Sequence, residues 1–107
     1  MGNRFLDQYS YLHFASGIIA YFWGIKLYVW IIIHVLFEIL ENTEIGMKFI
    51  NNYLPYWPGG GKPKADNIIN QLGDNLAAIL GHYSAYLLDT LGNRMNWYDL
   101  HINTKYI

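Results

Sequence analysis

The chain has 107 residues, of which 53% are hydrophobic, 18% aromatic and 14% charged, and its formal net charge is −1. This length allows one domain at most, and the near-neutral charge excludes the basic field with which proteins attract nucleic acid. The absence of cysteine excludes disulfides, thiolate metal sites and cysteine nucleophiles.

Two hydrophobic blocks, residues 12–40 and 68–91, dominate the pattern. The first block is long enough for two helices, because about 20 residues cross the hydrocarbon of a bilayer, and Gly24 and Lys26 offer a turn between them. One tilted helix over residues 12–40 is the alternative, and it would bury Lys26 and Glu38 in lipid. We therefore predict three helices, over about residues 6–25, 27–42 and 66–91.

The connection between the second and third helices, residues 43–65, contains apolar residues at helical spacing, and this predicts a short helix lying in the membrane interface. A polar and aromatic tail, residues 93–107, follows the last helix. Together these features predict an all-α integral membrane protein, built as a three-helix antiparallel transmembrane bundle with an interfacial loop. Its expected localisation is a membrane that it crosses several times, with the lipid bilayer as its partner.

Ionisable residues occur inside the predicted helices, where lipid would not tolerate them. His34, Glu38 and Glu41 are spaced i, i+4 and i+7, so they lie on one face of the second helix. An up, down and up course brings this acidic end beside the start of the first and third helices. We expect a funnel at that end, lined by His13, Glu38, Glu41, Asp66, Asn70 and Asp74.

Four carboxylates in a pocket of low dielectric cannot all stay ionised without compensation. Protonation, a folded-over lysine, a cationic ligand or a divalent cation would supply it. His13, Glu38 and Asp74 are the candidate metal ligands, and the same three are the candidate catalytic residues for acid–base chemistry. The candidate binding residues are Glu41, Asn42, Asp66 and Asn70.

Structural roles are the alternatives for several of these residues. His34 is explained as a buried histidine hydrogen-bonded to Glu38, His82 as a polar link between helices, and Asp66 as part of a helix N-terminus. Glu41 is explained as a solvated helix end. A row of small residues that lets helices approach closely comprises Gly17 in the first helix and Gly73, Ala77 and Gly81 in the third.

Three spaced motifs carry a resemblance to known proteins: His13-x-x-Ser16-Gly17, Glu38-x-x-Glu41-Asn42 and Asp66-x-x-x-Asn70-x-x-x-Asp74. Over residues 9–88 the chain resembles a family of uncharacterised bacterial small membrane proteins and, more distantly, the VanZ-like proteins. Ser16 stands where that family has a second histidine, Asn67 and Gln71 replace serines, and its Asp-Arg-Tyr-Arg run has no counterpart. The resemblance implies a helical membrane fold and no established reaction.

Two functions follow as hypotheses. The first is a structural or binding component of a membrane or of a larger assembly, with other subunits as partners and a polar cluster that fixes helix packing. The alternative is a membrane enzyme or carrier that acts on a lipid head group through Glu38, Asp74 and His13.

Overall fold

The structure, a computed structural model, describes residues 2–98. All regular secondary structure in that range is helical, with no β-strand. It contains four α-helices and one short 3₁₀ turn at Pro58–Gly60. The α-helices are α1 (Ser10–Phe22), α2 (Leu27–Glu41), α3 (Glu44–Tyr53) and α4 (Ile68–Arg94). The last part of the predicted polar tail, residues 99–107, lies outside the described residues.

The prediction of a transmembrane bundle is wrong, because within residues 2–98 no helix combines the length and the apolar character needed to cross a bilayer. Helices α1 and α2 have 13 and 15 residues, fewer than the ~20 that a crossing requires. Helix α4 has 27 residues, but Asp74, His82 and Asp89 interrupt its apolar sequence. The predicted multi-pass localisation and the interfacial position of residues 43–65 are overturned by the same finding.

Local hydrogen bonds explain why α1 begins later than the predicted residue 6. Asp7 accepts from the backbone N–H of Tyr9 at 2.9 Å and of Ser10 at 3.2 Å, and the Ser10 hydroxyl accepts from the Asp7 N–H at 3.0 Å. This reciprocal arrangement resembles a capping box, which fixes the start of a helix. The other end is set by Gly24, whose φ of +82° suits glycine and ends the predicted continuation.

Helix α4 is the central element, and the other two long helices pack against it in opposite directions. Helix α1 runs parallel to α4, since Ser10 pairs with Asp74 and Tyr21 pairs with Asp89 further along. Helix α2 runs antiparallel to α4: Trp30 donates to the Ala78 carbonyl, and residues later in α2 meet earlier positions of α4.

Glycines allow α1 and α4 to approach closely. A Cβ on Gly17 would overlap the Ala78 carbonyl oxygen, and a Cβ on Gly81 would overlap the Phe14 carbonyl oxygen. Gly73 makes a similar approach to the segment before α1, and Ala77, also in the predicted small-residue row, is buried. The small residues therefore set the distance between the two parallel helices.

The interior is polar to an unusual degree, while many large apolar side chains face outward. Few apolar residues are buried, and four of them are alanines: Ala20, Ala77, Ala78 and Ala85. The buried polar and charged residues are Ser10, His34, Glu38, Glu41, Lys62, Asn70, Asp74, His82 and Asp89. Since buried polar groups are costly unless they are paired, their partners show where a functional site lies.

Candidate metal centre

Three potential metal ligands from two helices converge in the interior. His13 of α1 and His34 and Glu38 of α2 each bring a ligand atom within 4.8 Å of the other two. Nδ1 of His13 lies 2.9 Å from Nε2 of His34 and 3.9 Å from Oε2 of Glu38. These separations suit three ligands of a single ion, whose bonds to nitrogen and oxygen are about 2.0–2.2 Å long.

The protonation of His34 is fixed by a chain of hydrogen bonds to α4. The Asn75 amide nitrogen donates to the Gln71 carbonyl at 3.0 Å, so its amide oxygen is the atom that faces Nδ1 of His34, at 2.7 Å. Because that oxygen can only accept, Nδ1 of His34 carries the hydrogen. Burial lowers the pKa of His34, so the ring is neutral and its Nε2 presents a lone pair toward His13.

The outward nitrogen of His13 is held by a carboxylate in the same manner. Nε2 of His13 lies 3.3 Å from Oδ2 of Asp74, whose other oxygen accepts a hydrogen bond from the Ser10 hydroxyl at 3.0 Å. A carboxylate at this position favours a hydrogen on Nε2. In a neutral ring, Nδ1 of His13 then also presents a lone pair.

With these tautomers in neutral rings, the two facing nitrogens, which are 2.9 Å apart, would both lack a hydrogen. A shared proton or a metal ion between them would remove the repulsion of their lone pairs. Metal-bound histidines are normally held in this way, with the second ring nitrogen donating to a carboxylate or carbonyl group. Asp74 and Asn75 supply those acceptors from adjacent positions of α4.

Glu38 is the third member of the ligand group, and no cation in the described residues directly neutralises its carboxylate when it is ionised. Its side chain is fully buried, and Oε2 has no hydrogen-bond donor among residues 2–98. Burial, followed by the charges of Glu41 and Asp74, raises the pKa of Glu38 to about 9. A bound cation would reverse this effect, because a metal ion favours the ionised form of its ligands.

A second group of three carboxylates, Glu38, Asp66 and Asp74, also has oxygens within 4.8 Å of one another. Two of these acids already have partners, since Asp66 pairs with the buried Lys62 and Asp74 with His13. Glu41 lies beside Glu38, and burial raises its pKa as well. Lys62 is the cationic partner of one of the four carboxylates, so a divalent cation held by neutral His13 and His34 would offset the excess negative charge.

Two other predicted binding residues, Asn42 and Asn70, hold the backbone around the ligand group. The Asn42 amide donates to the Glu38 carbonyl at 2.7 Å and accepts from the Asp66 N–H at 2.8 Å, so it ties the end of α2 to the start of α4. Its amide nitrogen also lies 3.5 Å from Oε1 of Glu38. Asn70 donates to the Arg4 carbonyl at 2.7 Å and anchors the N-terminal segment.

The structure therefore brings together all three predicted metal ligands, but it gives one of them a different position. Asp74 lies behind His13, at its outward nitrogen, and His34 takes the place facing Glu38. In the sequence, the i, i+4 spacing of His34 and Glu38 was the signal that these two side chains lie together. Asn75 and Ser10 carried no signal of their own, since their role depends on the packing of α4 against the other helices.

Comparison of the chain with protein-family models, with curated proteins and with solved structures finds no match, so the family that the motifs suggest stays a prediction.

Proposed function

We propose that the protein is a metal-dependent enzyme that binds one divalent transition-metal ion through Nδ1 of His13, Nε2 of His34 and the Glu38 carboxylate. The observation that carries the proposal is the pair of facing imidazole nitrogens beside a buried carboxylate oxygen to which no group within residues 2–98 donates. Two imidazoles and one carboxylate suit iron, manganese, cobalt or zinc better than the oxygen-preferring calcium and magnesium.

Three protein ligands leave coordination positions open for water or a substrate, as in catalytic rather than structural metal sites. The ion would act as a Lewis acid on an oxygen atom bound at such a position. We assign the exchange of a proton with that bound molecule to Glu41, a neighbour of Glu38 that also lines the cavity beside the two histidines.

A packing role is the second candidate, and it keeps the hypothesis of a non-enzymatic structural or binding component. It is favoured by the number of polar groups in the cluster that already have partners, among them Asp74, Asn70 and the Lys62–Asp66 pair. In this case a proton shared by His13 and His34 would occupy the place of the metal.

Titration of the chelator-treated protein with Co²⁺ separates the two candidates, because cobalt absorption reports the ligands and the coordination number. We expect one equivalent to bind to the parent protein. Glu38→Gln, which removes the charged ligand, should weaken binding by at least ~100-fold, since loss of outer-shell partners alone costs 10–100-fold. Asp89→Asn is the matched control, because Asp89 is a buried carboxylate like Glu38 but lies on α4, where it pairs with Tyr21.

Thermal unfolding of the same variants without metal distinguishes lost ligation from lost folding. A Glu38→Gln protein that folds like the parent and binds no cobalt supports the metal site. A parent protein that binds none of cobalt, zinc, manganese or iron(II), or a Glu38→Gln variant that binds like the parent, would refute it.

A further inference from the structure

A cavity of about 400 Å³ opens directly beside the two histidines. This volume lies within the range of small-molecule pockets. The cluster residues His13, His34 and Glu41 form one part of its lining, and the rest is mostly apolar and aromatic.

The long walls of the cavity come from one face of α1 and one face of α2. On α2, Trp30, Ile33 and Phe37 recur at helical spacing on the side that carries His34. The aromatic rings form a continuous surface, with ring centres 5.3 Å apart for Trp30 and His34 and 6.3 Å apart for Phe37 and Trp57. Trp57 and Pro58, from the turn between α3 and α4, close one side.

Two polar groups in these walls are already used within the protein. The Ser16 hydroxyl donates to the His13 carbonyl at 2.6 Å, and the Trp30 ring nitrogen donates to the Ala78 carbonyl at 3.0 Å. The walls therefore suit hydrocarbon, whereas the cluster end offers imidazole and carboxylate groups. Such a division selects a molecule with one polar end and one apolar body.

We infer that the cavity binds an amphiphile whose oxygen-donor head completes the coordination of the metal and whose hydrocarbon chain lies between α1 and α2. The inference rests on the proposed metal site, since His13 and His34 belong to both the ligand group and the cavity lining. A divalent ion would balance the excess negative charge of the cluster, so an anionic head would no longer be repelled.

Two hydroxamates test this inference on the cobalt-loaded protein, because they share a metal-chelating head and differ only in the chain. Acetohydroxamate has a methyl group, and octanohydroxamate has a seven-carbon tail. We expect octanohydroxamate to bind on the order of 100-fold more tightly, which requires burial of about half of its six additional methylenes.

Two substitutions on α2 locate the chain. Ile33→Trp fills the cavity and should reduce octanohydroxamate binding at least ~10-fold more than it reduces acetohydroxamate binding. Ile39→Trp is the matched control, because Ile39 is exposed on the same helix and does not line the cavity. If Ile33→Trp fails to fold, Leu12→Trp fills the cavity from the α1 wall.

The outcomes separate this inference from the metal site. Equal affinities for the two hydroxamates, with cobalt bound, would overturn the inference and leave the metal site intact. Absence of cobalt binding would overturn both. Tighter binding of octyltrimethylammonium to the metal-free protein than of octanohydroxamate to the loaded protein would assign the cavity to an organic cation and overturn the inference.

Discussion

Raising the pH should destabilise the metal-free protein, because the buried Glu38 must then ionise among other carboxylates. Burial, followed by Glu41 and Asp74, raises its pKa from 4.5 to about 9. Between these values the folded state holds a proton that the unfolded chain has lost, so the free energy of unfolding falls as the pH rises. One such proton contributes about 1.4 kcal/mol per pH unit, or about 2 kcal/mol between pH 7 and pH 8.5.

The choice of pH range matters because protonation of His34 at lower pH also lowers the free energy of unfolding, so that its effect changes with pH in the opposite direction. Burial depresses the pKa of His34 below 6.5, so its contribution to stability is present above that pH and is lost as the pH falls. Above pH 7 this contribution is constant. Burial also raises the pKa of Glu41 above 4.5, so a rise in pH acts on Glu41 in the same direction as on Glu38.

Urea unfolding at pH 7 and pH 8.5, with a chelator present, measures this loss of free energy of unfolding. In thermal unfolding, the melting temperature should fall by about 8 °C over the same pH interval. Glu38→Gln should remove most of this dependence on pH. Glu44→Gln, which removes a carboxylate exposed on α3, should retain it. An equal loss of stability in the parent and in Glu38→Gln would refute the assignment of the proton to Glu38.

Three further results are expected. Asp74→Asn should lower the cobalt affinity about 10–100-fold in a folded protein, because the outward nitrogen of His13 loses its carboxylate partner; unchanged affinity in the cobalt titration would contradict this role. Metal binding at pH 7.5 should release at least one proton, since Glu38 must ionise to bind, and calorimetry in buffers of different ionisation enthalpy measures that release. Gly17→Ala should lower the free energy of unfolding by about 1–3 kcal/mol, because its Cβ would overlap the Ala78 carbonyl; an unchanged free energy in urea unfolding would contradict this.

The failure of the membrane prediction has a local cause. The average hydrophobicity of residues 6–25 and 27–42 indicated two crossings. That average carries no information about the hydrogen bonds between Asp7 and Ser10, because of which α1 begins only at Ser10. The turn at Gly24 then ends the helix after Phe22. These features shorten the first segment to 13 residues, whereas the second, with 15 residues, nearly keeps its predicted bounds; both helices are shorter than a crossing.

The sequence by itself determined the contacts that helical periodicity enforces. His34 and Glu38 are neighbours in any α-helix that contains them, and Asn67 caps α4 by accepting from the Asn70 N–H, three residues further on. Only the tertiary structure decided which side chains on different helices face each other. The parallel packing of α1 on α4 brings His13 to Asp74, and the antiparallel packing of α2 turns His34 toward His13. Ligation depends on separations of a few ångströms between helices, and these are set by side-chain packing that periodicity does not encode.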